Sequence, residues 1–367
     1  MSKKLRVAVL FGGKSGEHDV SLLSAASVIQ SMDPEKYEVI PMGITKEGIW
    51  RLGRESIPMI APHMQENKLE QLQSQLPAVT TSAGESGLPS LRPDEIDVVF
   101  PVLHGTYGED GTVQGLLEIA NIPYVGAGVL ASAVGMDKVF TKKLLEQAGL
   151  PQGRYTYFLK SEMAEHLDTI LNRIEDTFGY PCFVKPANLG SSVGISKASN
   201  RKELIEAVEL AAKYDRKIIV EEFIPAYEVE VAVLGNDHPE ASVPGEIVSS
   251  NDFYDYKAKY IDGKSVMRIP ADLDPEVQEK VRSIAIQVYK AIDCSGLARV
   301  DFFIRKDNGE ILVNEINTMP GFTPFSMYAK LWEHSGIGYS ELVGKLIDLA
   351  IERYEEKSSL VTTFEVE

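Results

Sequence analysis

Apolar residues follow two rhythms along this chain. Leu5–Phe11 is apolar at nearly every position and stops at Gly12-Gly13. Such a run suits a strand of a parallel sheet covered on both faces. Beyond it Val20, Leu22, Leu23, Ala26, Val28 and Ile29 recur with helical spacing, and Asp19 is placed to cap that helix. The chain therefore opens as strand, glycine turn, helix. Tyr37–Ile44 and Asp97–Leu103 read as further strands, which makes the first third an α/β unit. Between them the polar stretch from Pro62 to Pro93 reads as a surface insertion. It carries a short helix over Glu66–Gln75 and no catalytic group.

From about Val125 the character changes. VGAGVLASAVGMDK is small and apolar and leads into an amphipathic helix over Lys138–Gln147. Then follow a strand at Arg154–Leu159, a helix near Glu162–Phe178 and strands at Pro181–Lys185 and Lys217–Phe223. A glycine-serine turn lies between the last two. The final third has strands at Glu228–Leu234, Ala298–Ile304 and Ile311–Asn314, and helices near Pro275–Ile292 and Tyr339–Tyr354. The polar residues from Glu355 onward are expected to fray.

Composition narrows the class. With 367 residues, the chain is long for one core and predicts two or three domains. A net charge of −17 opposes a long contact with a nucleic-acid backbone, although a few local cations would still bind a small phosphorylated ligand. Cys182 and Cys294 form no zinc spacing and read as buried thiols in a reducing compartment. The opening MSKKLRVAVLFGG has too short an apolar run for a secretion signal, and no stretch approaches the ~18 apolar residues of a membrane span. A soluble, cytoplasmic protein without membrane or nucleic-acid partners is expected.

Five segments can carry chemistry. Phe11–Glu17 holds Gly-Lys-Ser, but Ala8 stands where a P-loop needs glycine, and GGxxG is not the dinucleotide GxGxxG. The turn still puts Glu17 at the C-terminal edge of a sheet, where α/β ligands bind, or else as a solvated carboxylate at a helix entry. LHGTYGEDGTVQG places His104 after a buried strand, as a structural or a substrate-facing histidine. KPANLGSSVG ends a strand with Lys185, and Ser191 and Ser192 follow on a glycine turn. That turn fits a phosphoryl group or a plain hairpin. Phe253–Tyr260, FYDYKAKY, fits either a lid over an anionic substrate or an exposed hairpin.

The last segment, Ala298–Thr323, has the most telling spacing. Asp301 lies on one strand, Asp307-Asn308-Gly309 reverses the chain, and Glu315 and Asn317 share a face of the return strand. Two carboxylates and an amide make a hard-oxygen site of the kind that holds Mg²⁺ with water and phosphate. Arg299 and the backbone around Gly321 could then stabilise an oxyanion.

Taken in order, LFGGKSGEHDVS, LHGTYGEDGTVQG, GMDK, VKPANLGSSVG, VEEFIPAYEVEVAVLG, FYDYKAKY, ARVDFF and NEINTMPGFTPFSM resemble the ATP-grasp superfamily, and within it the D-alanine–D-alanine ligase family. The resemblance implies a three-domain ATP-grasp fold of the α/β (α+β) class. A Rossmann-like N-terminal domain over 1–126, with its insertion at 62–93, would precede a central subdomain over 127–224. A C-terminal subdomain over 225–367 would carry the metal site and the lid. It further implies ATP and two Mg²⁺ or Mn²⁺ ions as cofactors, D-alanine as substrate, and a homodimer.

By the same resemblance Glu17 pairs with the ammonium of the first D-alanine, and Ser191 and Tyr260 hydrogen-bond with it. His104 helps to place that substrate. Lys138, Lys185 and Ser192 meet ATP phosphates. The strand around Glu221 and Glu222 contacts adenine, and Glu228 takes the ribose. Asp301, Glu315 and Asn317 hold the metal, and Arg299 and Gly321 form the oxyanion site. Lys259 and Ser326 bind the second substrate's carboxylate or the transferred phosphate, and Met327 is a further substrate-binding residue. The intact AKY of the lid favours an amine acceptor over D-lactate. Another ATP-dependent carboxylate ligase, a dehydrogenase or nucleotide sensor, and a non-catalytic nucleotide binder are the competing readings.

Overall fold

The computed structural model describes residues 3–76, 93–190, 193–248 and 266–361. Within them the strands form three sheets. The first contains β1 (Leu5–Gly12), β2 (Tyr37–Ile44), β3 (Trp50–Leu52) and β4 (Val98–Pro101) in the order β3-β2-β1-β4, with β2, β1 and β4 parallel. Val7, Ala8, Val9 and Phe11 have no exposed surface, so β1 is covered on both faces, as its unbroken apolar run predicts. Arg6 fastens β1 to the entry of β4: its backbone N–H, Nε and Nη2 donate to Asp97 at 2.8, 3.0 and 2.7 Å.

Helix α1 (His18–Ser31) follows the first glycine turn. Its N-cap is Glu17, not Asp19 as the sequence pattern predicts; Asp19 lies in the first turn and pairs with Lys46 at 3.1 Å. The apolar period shows where the helix lies but does not fix its first residue to within two positions. Helices α2 (Ile57–Ile60) and α3 (Glu66–Gln75) come next, α3 at the predicted bounds.

After β4 the chain makes α4 (Thr112–Ile119), α5 (Val129–Met136) and α6 (Lys138–Gln147). The second sheet is antiparallel: β5 (Tyr155–Leu159), β6 (Cys182–Pro186), β7 (Ser196–Ala198) and β8 (Lys217–Glu222) in the order β5-β8-β6-β7. Helices α7 (Lys160–Phe178) and α8 (Arg201–Tyr214) cover it. Helix α8 has no counterpart in the sequence reading, although Leu204, Ala207, Val208 and Ala211 all bury one face and Asn200 caps it through the Glu203 N–H at 3.0 Å. Both cysteines are buried and free.

The third sheet has β9 (Ala226–Gly235), β10 (Glu240–Ala241), β11 (Gly245–Val248), β12 (Val266–Arg268), β13 (Gly296–Arg305) and β14 (Ile311–Asn317). Its order is β12-β11-β9-β13-β14, and β10 joins β9. Helices α9 (Pro275–Ala291), α10 (Met327–His334) and α11 (Tyr339–Ser358) pack around it. Helix α11 runs past Glu355, where fraying was expected. Upstream, Leu342, Val343, Leu346, Ile347 and Ala350 are buried in the same core cluster as Val7 and Val9 of β1, and that packing carries the helix on. Arg353 on α11 bonds the Tyr124 carbonyl at 2.9 Å and Ser295 Oγ at 2.6 Å, joining the first and third sheets. Among the described residues no helix is long and apolar enough to cross a membrane.

Candidate active site

A cleft of about 840 Å³ gathers side chains from all three sheets, and Glu17, Lys138, Lys185, Glu228, Asp301 and Glu315 all line it. His104, Glu221, Glu222, Arg299, Asn317, Gly321, Ser326 and Met327 line it too. The structure thus brings together the predicted site residues it describes. Ser191, Ser192, Lys259 and Tyr260 lie outside the described residues.

Glu17 reaches the cleft because the turn before α1 is braced from the loop after β4. Ser15 Oγ donates to the His104 carbonyl at 2.6 Å and accepts the Glu17 N–H at 3.2 Å. Two glycines make room for its carboxylate: a Cβ at Gly105 or Gly190 would stand 2.8 or 2.9 Å from Glu17 Oε2. The loop after β4 and the glycine turn after β6 therefore close on the same oxygen.

His104 is fully enclosed. Its Nδ1 lies 3.1 Å from the Met319 carbonyl and its Nε2 3.3 Å from Ser24 Oγ. A carbonyl only accepts, so the proton sits on Nδ1 and Nε2 accepts from the serine. Burial lowers the imidazole pKa, against the pull of Glu17. His104 is thus a neutral ring fixed in the wall of the cleft. Glu109, which the sequence reading passed over within the same glycine-rich segment, is half-buried in the cleft wall. It accepts the Gly105 N–H at 2.7 Å. Burial, and then the charge of Glu17, push its carboxyl up to about 8, so it holds a proton at neutral pH.

The cations form a chain. Lys138 heads α6; its Nζ donates to the Leu189 carbonyl at 2.8 Å and stands 3.9 Å from Glu315. Lys185 on β6 and Lys142 on α6 both meet Glu221, at 2.5 and 2.8 Å. Burial alone would raise the Glu221 pKa, but the two ammonium groups outweigh it and hold the carboxyl below the usual range. Lys142 was not among the predicted residues, because one lysine on an amphipathic helix gives no sequence signal. Glu222 is also committed: Arg154 donates to it from N at 2.8 Å, Nε at 3.1 Å and Nη2 at 3.0 Å. The carboxylates of Glu221 and Glu222 are therefore both taken by cations, and the neighbouring Phe223 and Ile224 line the cleft beside them.

On the third sheet, β13 pairs Arg299 with Asn317 and Asp301 with Glu315, so the hairpin brings the expected carboxylates side by side. The register then shifts, so that Phe302 faces Val313 and Asn314 is an extra residue. Asn317 Nδ2 donates to Asp301 Oδ2 at 3.1 Å. Arg299 is gripped by Asp301 and by Glu230 on β9, 2.9 Å from its Nε. Glu230 was also not predicted, since its partner is distant in sequence. Among the described residues no three His, Cys, Asp or Glu side chains form a metal cage. The donor set is instead two carboxylates and an amide, which suits a hard ion that keeps water and phosphate oxygens. Gly321 and Ser326 are neighbours, and Ser326 Oγ accepts the Thr323 N–H at 3.0 Å just before α10, which begins with the buried Met327.

The sequence matches the family models described as "D-ala D-ala ligase N-terminus" over residues 6–127 and "D-ala D-ala ligase C-terminus" over residues 144–348. It is 51% identical to a D-alanine–D-alanine ligase of Acetivibrio thermocellus, covering 97% of this chain and 98% of that one. It is 52% identical to the enzyme of that name from Geobacillus thermodenitrificans, covering 99% and 100%. Among solved structures, the D-alanine-D-alanine ligase from Coxiella burnetii superposes with a TM-score of 0.80 at 38% identity, covering 97% of both chains. The VanG D-Ala:D-Ser ligase from Enterococcus faecalis gives 0.79 at 37%, covering 95% of this chain and all of that one. The fold is accordingly the three-domain ATP-grasp fold, and the chain belongs to the D-alanine–D-alanine ligase family.

Proposed function

We propose that this protein joins two D-alanines into D-alanyl-D-alanine at the expense of ATP, releasing ADP and phosphate, for peptidoglycan precursor synthesis. The carrying observation is the convergence of a carboxylate, a chain of largely buried lysines and a carboxylate–amide–arginine cluster on one cleft. Kinship of just over half identity across nearly the whole chain supports the substrate.

The chemistry has two steps. A carboxylate oxygen of the first D-alanine attacks the γ-phosphorus, and the bond to ADP breaks. The amine of the second D-alanine, having lost its ammonium proton, then attacks the acyl carbon; the tetrahedral oxyanion collapses and phosphate leaves. In this reading Glu17 takes the first ammonium and His104 shapes the wall beside it. Ser191 and Tyr260 hydrogen-bond with Glu17, the latter from the lid. Lys138, Lys185 and Ser192 neutralise the phosphates, with Lys185 shared between phosphate and Glu221. Backbone past Glu221 and Glu222 meets adenine, and Glu228 the ribose. Arg299 and the Gly321 N–H face the oxyanion. Lys259, Ser326 and Met327 receive the second substrate.

Asp301, Glu315 and Asn317 would hold two Mg²⁺ or Mn²⁺ ions. Bound there, the metal supplies charge neutralisation at the phosphoryl oxygens. The same reading divides the chain at 1–126, 127–224 and 225–367, and has it work as a cytoplasmic homodimer.

The test is turnover with ATP, Mg²⁺ and D-alanine, with L-alanine, D-serine and D-lactate offered in parallel and product mass followed beside phosphate release. A D-alanyl dipeptide from the D-isomer alone is expected. Preferential incorporation of D-lactate or D-serine would overturn the acceptor, and phosphate release without any dipeptide would overturn the ligation.

A further inference from the structure

The groups read as phosphate-binding stand on two separate pieces of chain, the start of α6 with Lys138 and the end of β6 with Lys185 and the turn that follows it. Neither is held by the cleft itself. Lys138 follows Asp137, whose Oδ1 accepts the N–H groups of Val139 and Phe140 at 3.1 Å each. The other oxygen of Asp137 is taken by Lys217 Nζ, in a buried ion pair 4.5 Å from the Phe140 ring. The Lys138 N–H donates to the Ala187 carbonyl at 3.0 Å, and the Ala187 N–H donates to the Lys217 carbonyl, also at 3.0 Å. Two residues earlier Asp215 Oδ2 accepts both the Asn188 N–H at 2.8 Å and Asn188 Nδ2 at 3.0 Å. Asp215 Oδ1 in turn accepts the Lys217 N–H at 3.2 Å. Asn188 leads directly into Leu189, whose carbonyl holds Lys138 Nζ at 2.8 Å.

We propose that Asp215 and Lys217 are positioning residues for the phosphate site: the entry of β8 clamps the start of α6 with one side chain and Asn188, just past β6, with the other, so that Lys138 and the Asn188–Leu189 segment are set against each other before the nucleotide arrives. Neither residue lines the cleft. The inference rests on the reading of Lys138 as a phosphate-binding cation. Preorganisation of this kind acts on nucleotide affinity, because a turn that must be ordered on binding costs free energy at that moment. The turn also touches Glu17, at Gly190, but Glu17 is braced from the loop after β4 through Ser15 and His104, so the effect on D-alanine binding is expected to be much the smaller.

The test compares Michaelis constants in the full-length protein. Asp215→Ala and Lys217→Met are each expected to raise the KM for ATP about tenfold, the scale of a lost hydrogen bond to a charged group, with the KM for D-alanine within about twofold. Lys217→Arg, which keeps the ion pair, is expected to recover most of the loss. Asn188→Ala combined with Asp215→Ala is expected to be no worse than Asp215→Ala alone, since the one bond that the Asn188 side chain makes to Asp215 is already lost there. Urea unfolding identifies variants that remain folded, and Asp215→Asn, nearly the same shape with one acceptor oxygen lost, serves where alanine is not tolerated. An unchanged KM for ATP in a folded variant, or equal rises for ATP and D-alanine, would overturn the proposal. Lys138→Met separates the two layers. If it raises the KM for ATP and Asp215→Ala does not, the clamp fails alone; if it leaves that KM unchanged, the phosphate reading itself fails.

Discussion

Arg299 and Asp301, two positions apart on β13, are locked by two parallel hydrogen bonds of 2.7 Å, Nε to Oδ1 and Nη2 to Oδ2. The guanidinium is thus held flat and charged at the wall of the cleft before any substrate binds. Preorganised charge of this kind stabilises a developing oxyanion without reorganisation. Arg299→Met is expected to lower turnover about 10²-fold or more and to leave the KM for ATP close to the parent's. Equal losses in turnover and ATP affinity would remove the oxyanion role. Arg299→Lys keeps the charge without the fork, so a folded lysine variant that is still slow would assign the effect to geometry.

Divalent metal should be required and should bind through the hairpin. Chelation is expected to abolish turnover, and Mg²⁺ or Mn²⁺ to restore it. In Asp301→Asn the Mn²⁺ affinity, read by electron paramagnetic resonance with a non-hydrolysable ATP analogue present, is expected to fall about tenfold or more, at least as much as loss of an outer-shell partner. Unchanged affinity would place the ion elsewhere.

Glu109 links stability to pH. Its carboxyl moves from an ordinary 4.5 to about 8 in the fold. Between those values the unfolded chain has released the proton and the folded chain has kept it, so stability falls as pH rises through that window. Glutamine mimics the neutral acid. Urea unfolding of Glu109→Gln without ligands is expected to show a gain over the parent that grows from pH 5 to pH 8. Parallel pH profiles would rule out a neutral Glu109.

Glu221 is the counter-ion of two buried lysines. Replacing it with glutamine leaves Lys142 and Lys185 without their carboxylate, and breaking a buried pair from one side costs about 3–5 kcal/mol. A correspondingly lower urea midpoint is expected. A loss of about 1 kcal/mol or less, the scale of an exposed pair, would mean that solvent already screens the lysines.

What could be read in advance had a local cause. Leu5–Phe11, Tyr37–Ile44 and Lys138–Gln147 announce themselves by periodicity and by the glycines or caps that bound them. The pairing of Asp301 with Glu315 follows from one turn and two strands. Helix α8 shows that a local signal can also be passed over: Leu204, Ala207, Val208 and Ala211 carry the helical period, yet they sit between two motifs rich in apparent chemistry. Glu109 lay inside a recognised segment, but its raised pKa depends on burial and on Glu17, some ninety residues away in sequence. Lys142, Glu230, Asp215 and Lys217 were illegible for the same reason. Each acts through a partner that only the fold supplies. The roles of Glu221 and Glu222 shift likewise once Lys142 and Arg154 come into contact with them.

The extra residue in the β13–β14 hairpin decides which face the acid of the return strand takes. On the far side of Asn314, Val313 and Ile311 face Phe302 and Ile304 in the core; on the near side Glu315 and Asn317 face Asp301 and Arg299 in the cleft. Carried through position 314 without interruption, the far-side pairing would set Asn314 against Asp301 in the cleft and turn Glu315 toward Val300 in the core. The hairpin is two frames spliced at one position, and stepping Asn314 out of the ladder is what returns the acid to the cleft. Deleting Asn314 would close the bulge and leave Glu315 opposite Asp301, whereas drawing position 314 into the ladder would trade the acid for the amide and bury the acid. The splice, more than the side chain at 314, keeps Glu315 and Asn317 on the cleft face.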